Sequence, residues 1–361
     1  MAITGAARIT VRTASLAANL RYFQARAGVV PVAAVVKADA YGLGLAGVLP
    51  ALSCDTFFVA RLSEAVSLRA LKPQARIFVL DGACADAVAA LVTHNLIPVL
   101  NSLAEIAVWQ GEAKRARTRL EAALHVDTGM NRLGLPPDEL AILSAEAGQR
   151  LEGLSLTLVM SHLAFGEDPA APMNGEQLSR FRAALASLPP APASLAASGG
   201  ILLGTDYHFD LVRPGIGLYG GAPHTGHANP MQPVVSLTAP VLQLRQVAPG
   251  DSVGYCATFR AARPSLIATI PLGYADGVMR IASRGAGAIL KGLRVPIVGR
   301  VSMDLITLDV TDLPGVAVGD MAELFGPGLP VDEAAAEWGT ISYELLTGLS
   351  RRIPRAYEGG A

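Results

Sequence analysis

A chain of 361 residues is long for one ordinary domain and short for three, which predicts one large unit followed by a smaller one. With 51% hydrophobic and 16% charged residues it is a compact, Ala-rich sequence and not a disordered one, and a net charge of −1 offers no footprint for nucleic acid or an anionic membrane. Its three cysteines, Cys54, Cys84 and Cys256, lie far apart without metal-ligand spacing, which argues against zinc and disulfide scaffolds and fits reduced thiols in a cytoplasm.

The opening stretch has no apolar run of signal-peptide length, and no segment reaches the ~18 apolar residues of a membrane span. A soluble, cytoplasmic protein is expected. Ala7–Arg12 reads as a strand that could belong to either unit. From there to about residue 218, short apolar runs alternate with amphipathic stretches, the rhythm of βα units on a parallel sheet. The strands are expected at Val29–Val36, Thr56–Ala60, Ala75–Leu80, Leu96–Leu100, Leu120–Val126, Leu151–Ser161, Ser194–Ala197 and Phe209–Val212. Such a count predicts a closed (β/α)8 barrel over residues 7–220. Helix starts are signalled by Ser63 before Glu64, by Ser102 with Glu105 as a capping box, and by Pro136-Pro137-Asp138. Leu188–Ser194, rich in Pro and Ala, reads as a loop inside the barrel count. Gly220–Pro233, dense in Gly, Pro and His, is the better boundary. Residues 221–361 then read as a mainly β unit, joined by the N-terminal strand if residues 1–12 pack there, with a helix or two in Asp332–Leu349.

In such a barrel, function gathers at the C-terminal ends of the strands, and phosphate sites favour the loops after strands seven and eight. Lys37 is expected at the end of strand one, Asp127 and Arg132 after strand five, and His162 after strand six. Ser198 follows strand seven, and Arg213, Gly215 and Ile216 follow strand eight. An amine, an imidazole, two guanidiniums and a hydroxyl on one rim describe a site for an anionic, phosphate-bearing carbonyl cofactor, and pyridoxal phosphate fits. The run VPVAAVV before Lys37 would desolvate its amine, lowering its pKa and favouring condensation with a carbonyl. A lysine that only snorkels from a strand end gives the same local pattern. Gly42, Gly44 and Gly47 also match GxGxxG after a strand. A dinucleotide site wants those glycines directly after the strand and an acidic residue closing the next one; here Lys37, Asp39 and Tyr41 intervene and strand two runs into Arg61.

AVVKADAYGLG around Lys37 resembles the cofactor-lysine signature of the bacterial alanine racemases. HVDTGMNRLG, SHLA, LVRPGIGLYG, VGYCATF, PLGYADG and VGRVSMD follow in that family's order, and the tail ISYELLTGLSRRIPRAY fits too. The resemblance implies a pyridoxal 5'-phosphate enzyme that interconverts L- and D-alanine, supplying D-alanine for peptidoglycan or degrading it. Lys37 would carry the cofactor and act on the D-enantiomer, and Tyr255 on the L-enantiomer from the opposite face. Tyr41, Ser198, Gly200 and the backbone of Gly215 and Ile216 would hold the phosphate. Arg132 would meet the phenolic oxygen of the cofactor and the substrate carboxylate, and Arg213 the pyridine nitrogen, with His162 between Arg213 and Tyr255. Tyr274 and Met303, with Asp304 behind, would line the substrate entrance. The family forms homodimers with shared active sites, in which Tyr255, Tyr274 and Met303 reach the cofactor of the other subunit.

Elementary chemistry supports the pairing of bases. Racemisation removes the Cα proton on one face and returns it on the other, so two bases flank the carbon. Tyrosine is a poor base at its ordinary pKa of ~10 and needs positive charge nearby, for which His162 and Arg213 are the candidates. Taken singly, His162 also reads as a strand-end histidine, Tyr274 as a packing residue, Met303 as core filler, and Asp127 and Asp304 as loop-holding carboxylates. Two positions depart from the family pattern. His125 stands where many members carry a modified lysine that orients the arginine, and Ala197-Ser198 stands in place of Asn-Ser. Serine or another small amino acid remains open as substrate. A barrel-type decarboxylase is disfavoured by Arg213 where an acidic residue is usual, and a non-catalytic pyridoxal-phosphate carrier by the second unit bearing Tyr255 and Tyr274.

Overall fold

The computed structural model describes residues 6–359, so the first five residues of the expected 1–12 segment and the last two of 221–361 lie outside the described residues. After β1 (Arg8–Arg12), seven short strands form one curled parallel sheet in chain order: β2 (Ala34–Val35), β3 (Thr56–Val59), β4 (Arg76–Val79), β5 (Ile97–Leu100), β6 (Leu120–His125), β7 (Leu154–Met160) and β8 (Ala193–Ser194). All four residues of β5 are buried, as are Phe57, Phe58 and Val59 of β3. A strand covered by helices outside and by the barrel interior inside needs that continuous apolar character.

The eighth expected strand, Phe209–Val212, is not formed. Phe209 sits at φ 51 and Pro214 has no N–H to donate, so the segment cannot sustain a ladder. It still spans the gap between the sheet edges. Ala33 N donates to Val212 O (2.9 Å), Val35 N to Pro214 O (3.0 Å), Val212 N to Pro31 O (3.1 Å), and Arg213 N to Ala196 O (2.9 Å). The barrel therefore closes through an irregular eighth stave that carries Arg213 at its end. The first strand is likewise only Ala34–Val35, and Lys37 follows it at the start of a tight turn and not inside the strand.

Ser102 caps its helix by accepting from Glu105 N (3.2 Å), but Glu105 answers to Asn101 N (2.8 Å), one residue earlier than a standard box. The helix at Leu62–Leu71 begins at Arg61, where Glu64 accepts from Ala60 N and Arg61 N (2.9 and 3.1 Å).

Beyond the barrel come β9 (Val235–Pro240), β10 (Gln243–Val247), β11 (Ser252–Val253), β12 (Phe259–Arg260), β13 (Ser265–Ile270), β14 (Gly287–Leu290), β15 (Leu293–Val298), β16 (Ile306–Asp309), β17 (Met321–Phe325) and β18 (Arg355–Glu358). They form a hairpin, β11-β12, and a sheet in the order β10-β13-β16-β15-β14-β17-β9-β1-β18. β1 lies antiparallel to β9 and parallel to β18, with Ile9 and Val11 turned into the core. Two short helices, Val331–Glu337 and Ser342–Thr347, precede β18 and return the chain to the barrel. Among the described residues, no helix is long and apolar enough to cross a membrane.

Candidate active site

A cavity of about 290 Å³ opens at the C-terminal ends of the barrel strands. Lys37, Tyr41, Arg132, His162, Ser198, Gly200, Arg213, Gly215 and Ile216 all line it. Burial holds the Lys37 amine below the ordinary lysine range, helped by Arg132 and Arg213 and opposed by Glu64 and Asp81. A larger share of the amine is therefore neutral and nucleophilic near neutral pH.

The backbone beyond Lys37 turns the wrong way for L-residues. Ala38, Asp39, Ala40 and Tyr41 lie at φ 54–55, a left-handed turn completed by Gly42 at φ 79. Left-handed helix costs roughly 1–2 kcal/mol per residue and persists only where surrounding contacts impose it. Its effect is to fold Tyr41 back under the rim, stacked on Tyr219 with ring centroids 4.6 Å apart. Burial raises the Tyr41 phenol well above its ordinary pKa, so it stays a hydrogen-bonding hydroxyl. Gly215 faces that hydroxyl, and a Cβ there would collide with it. Next to this, Ser198 Oγ accepts from Gly215 N (2.9 Å) and Gly217 N (3.2 Å). Two hydroxyls, backbone amides and Gly199-Gly200 thus converge on one end of the cavity.

Arg213 is 3% exposed and has no salt bridge among the described residues. Its guanidinium donates to Ser161 O (2.8 Å) and to Ser194 Oγ, and it lies 5.6 Å from the centroid of the Phe58 ring. Burial pushes its pKa down to about 9, which still leaves it a cation at neutral pH. The histidines behave oppositely. Burial and then Arg213 hold His162 well below the ordinary histidine value, with Lys37 and Arg132 adding to the effect. The geometry does not support the expectation that His162 supplies positive charge: burial first, and then the surrounding cations, disfavour its imidazolium.

His125 is held down to about 4 by burial and then by Arg213. Its Nδ1 lies 2.9 Å from Asn101 Oδ1. Asn101 Nδ2 is committed to Val99 O (2.8 Å) and Leu80 O (3.2 Å), so Oδ1 must accept and Nδ1 must carry the proton. Nε2 is then the acceptor nitrogen of a residue that lines the cavity beside Arg132. Asp127 shapes the Arg132 loop, its carboxylate accepting from Gly129 N (2.8 Å), Met130 N (2.9 Å) and Asn131 N (3.0 Å).

Comparison with known proteins agrees with this geometry. The family model "Alanine racemase, N-terminal domain" matches residues 11–223, and "Alanine racemase, C-terminal domain" matches residues 234–357. The chain belongs to the alanine racemase family. It is 50% identical to an alanine racemase of Acidiphilium cryptum over 96% of this chain and 97% of that protein, and 46% identical to one of Rhizobium meliloti over 99% and 98%. Its fold superposes with a TM-score of 0.94 on the crystal structure of alanine racemase from Bartonella henselae with covalently bound pyridoxal phosphate, at 41% identity, covering 98% and 99% of the two chains.

Three of the site residues expected from this racemase family do not reach the cavity. Tyr255, Tyr274 and Met303 sit on the β-rich unit, 69%, 45% and 53% exposed, and none lines the space around Lys37. Tyr274 and Met303 belong to neighbouring loops. Tyr274 N donates to Ser302 O and Ala275 N to Met303 O, both at 3.0 Å. Arg352 clamps those loops from behind, bidentate to Asp276 (2.7 and 2.9 Å) and reaching Asp304 Oδ1 (2.7 Å). Asp304 is thus a loop-holding carboxylate. Conversely, Tyr343 lines the Lys37 cavity without having been singled out, its phenol pushed up to about 12 by burial. Only its place in the tail ISYELL could have pointed to it.

Proposed function

We propose that this enzyme interconverts L- and D-alanine with pyridoxal 5'-phosphate held on Lys37, as a homodimer in which the partner's Tyr255 completes each site. The carrying observation is the Lys37 cavity, which brings together a pKa-lowered amine, a hydroxyl-and-amide cradle, and a buried arginine with no salt bridge among the described residues. The donor set fits the group. Lys37 would bind its carbonyl carbon, and Tyr41, Ser198, Gly200, Gly215 and Ile216 would hold its phosphate. Arg213 would donate to its ring nitrogen and Arg132 to its phenolic oxygen.

When bound, pyridoxal phosphate supplies an electron sink conjugated to the substrate nitrogen, which acidifies the Cα–H bond. The rest falls to the chain. Arg213 is cationic and can only donate, so it discourages protonation of the ring nitrogen and keeps the sink moderate, which favours return of the proton over its loss to side reactions. Neutral His125, oriented by Asn101, offers Nε2 as an acceptor toward Arg132 and would do the orienting that a modified lysine does in other members. Arg132 then directs the substrate carboxylate. Lys37 Nζ moves the proton on one face of Cα. The opposite face needs a second base, and Tyr255 stands exposed on the β-rich unit, as a group destined for a partner's cavity would. Tyr274 and Met303 accompany it as entrance residues.

We place the chain in the cytoplasm, where its three free cysteines would stay reduced, and we divide it at Gly220–Pro233. The test is direct. Purified protein should be yellow and should abolish the circular dichroism of L-alanine faster than that of L-serine. A colourless protein that leaves both signals intact ends this reading, and a faster loss with serine moves the substrate.

A further inference from the structure

Gly42, Gly44 and Gly47 match a dinucleotide fingerprint yet face no ligand cavity with their missing side chains; they face the C-terminal tail. A Cβ on Gly42 would strike the carbonyl of Leu346, one on Gly44 the hydroxyl of Tyr357, and one on Gly47 its ring. Tyr357 lies flat across this glycine track, and its hydroxyl donates to Leu43 O (2.9 Å). One turn of strand earlier, Arg355 spends its whole guanidinium on carbonyl oxygens. Nε and Nη2 donate to Gly42 O (3.0 and 2.8 Å), Nη1 to Ser350 O and Ile353 O (3.1 and 3.0 Å), and Nη2 also to Leu349 O (3.1 Å). The bonds to Gly42 O and Leu43 O join residues more than 300 positions apart in the chain, while those to Ser350, Ile353 and Leu349 brace the tail itself.

What they hold is the strained turn that follows Lys37. Its internal bonds, such as Gly42 N to Ala38 O (2.7 Å) and Gly44 N to Asp39 O (2.9 Å), are local and cannot by themselves offset four residues at positive φ. From outside, Glu64 accepts from Ala38 N (2.5 Å), Arg351 lies 3.8 Å from the Asp39 carboxylate and Tyr219 stacks on Tyr41; locally, Asp39 accepts from Leu45 N (2.8 Å). The last carbonyls of the turn, Gly42 and Leu43, are both taken by the tail.

We infer that Arg355 and Tyr357 are positioning residues: the C-terminal strand is a strap that holds the left-handed turn Ala38–Tyr41 in place, and so presents Lys37 and Tyr41 to the cofactor. The consequence for cofactor binding rests on the reading of the cavity as a pyridoxal-phosphate site. If the strap loosens, the binding-competent turn is populated only part of the time, and the apparent dissociation constant rises by the inverse of that fraction. Turnover at saturating cofactor changes little, because neither residue touches the reacting atoms.

The experiment uses the full-length holoenzyme and three variants. Tyr357→Phe keeps the ring on the glycine track and removes one hydrogen bond. Gly47→Ala favours the local helix but forces the ring away. Arg355→Lys keeps the charge and loses the fork. Two readouts are taken: the pyridoxal-phosphate dissociation constant from dilution and absorbance, and hydrogen–deuterium exchange of peptides spanning residues 38–45. The strap predicts faster exchange confined to those peptides, cofactor affinity weakened about threefold to tenfold in Tyr357→Phe and about tenfold or more in Gly47→Ala and Arg355→Lys, and kcat at saturating cofactor within about twofold of wild type. Affinity that falls without faster exchange in the turn, or exchange that quickens without loss of affinity, overturns the positioning role, as does no change in either. If wild type itself fails to bind pyridoxal phosphate, the cofactor reading falls, and the exchange data alone uphold or overturn the strap.

Discussion

Lys37→Ala and Tyr255→Phe should each be inactive alone and partly active together. The first removes the amine from the cavity; the second removes a phenol that stands 69% exposed on another face of the same chain. Loss of one general base costs about 10²–10⁴-fold in rate, so either homodimer should fall at least about a hundredfold below wild type. On the proposed pairing, a twofold dimer would contain two cavities, each completed by the other chain's tyrosine. In a mixed pair, the cavity of the Tyr255→Phe chain keeps its lysine and receives the native tyrosine of the Lys37→Ala chain, and the other cavity has neither base. Random pairing of equal amounts makes about half the dimers mixed, each with one good site of two, so roughly a quarter of wild-type turnover should return.

The assay is loss of the circular dichroism of L-alanine, measured on co-expressed variants carrying two different affinity tags. Tandem purification isolates mixed pairs, whose activity should then rise to about half of wild type. A background of a hundredth or less makes either figure unmistakable. If verified mixed pairs stay at background, each chain uses its own Tyr255, and the shared-site assembly is refuted.

Other outcomes follow from single contacts. His125 is held down to about 4, whereas an unfolded chain takes up this proton near pH 6.5, so stability is lost as pH falls across that window. Wild type should lose up to about 3 kcal/mol there that His125→Gln keeps; parallel pH profiles of denaturant unfolding, read by the fluorescence of Trp109 and Trp338, would contradict this. Ser198→Ala strands the amides of Gly215 and Gly217 and should weaken pyridoxal-phosphate binding about tenfold or more. A binding isotherm matching wild type would remove Ser198 from the cradle. Arg352→Gln leaves Asp276, 5% exposed, without its fork partner. Because Arg352 is itself half exposed, the effect should be modest, seen as a KM for alanine raised about twofold to fivefold with the cofactor absorbance unchanged.

Much of this was legible in the chain. Buried parallel strands announce themselves as apolar runs, and a lysine, serine and arginine at their ends could be placed on one rim without coordinates. The failures have common physical causes. Phe209–Val212 is apolar enough for a strand, but Pro214 and the positive φ of Phe209 decide its ladder, and an apolar pattern does not register either. Four left-handed residues after Lys37 carry no sequence signal, because Ala, Asp, Ala and Tyr do not prefer that conformation; Glu64, Arg355 and Tyr357 impose it from distant parts of the chain. His162 is a candidate source of positive charge in the sequence, but its full burial, and then the convergence of Arg213, Lys37 and Arg132 around it, disfavour the imidazolium, and both exist only in three dimensions.

That convergence also explains what the cavity selects. Lys37, Arg132 and Arg213 line one small space against the single carboxylate of Glu167 in that lining, and Arg213 is buried with no salt bridge among the described residues. Burial and this field together disfavour the charged forms of His125 and His162 and hold the Lys37 amine below the ordinary lysine range. The arginines cannot follow. A ligand that brings negative charge, as a phosphate, a phenolate oxygen and a substrate carboxylate do, is therefore favoured by the fixed field, and a neutral or cationic ligand of the same size is not. The lysine that gives up its proton most readily in that field is also the one needed as nucleophile and base, so the same electrostatics that admit the ligand also prepare the residue that acts on it.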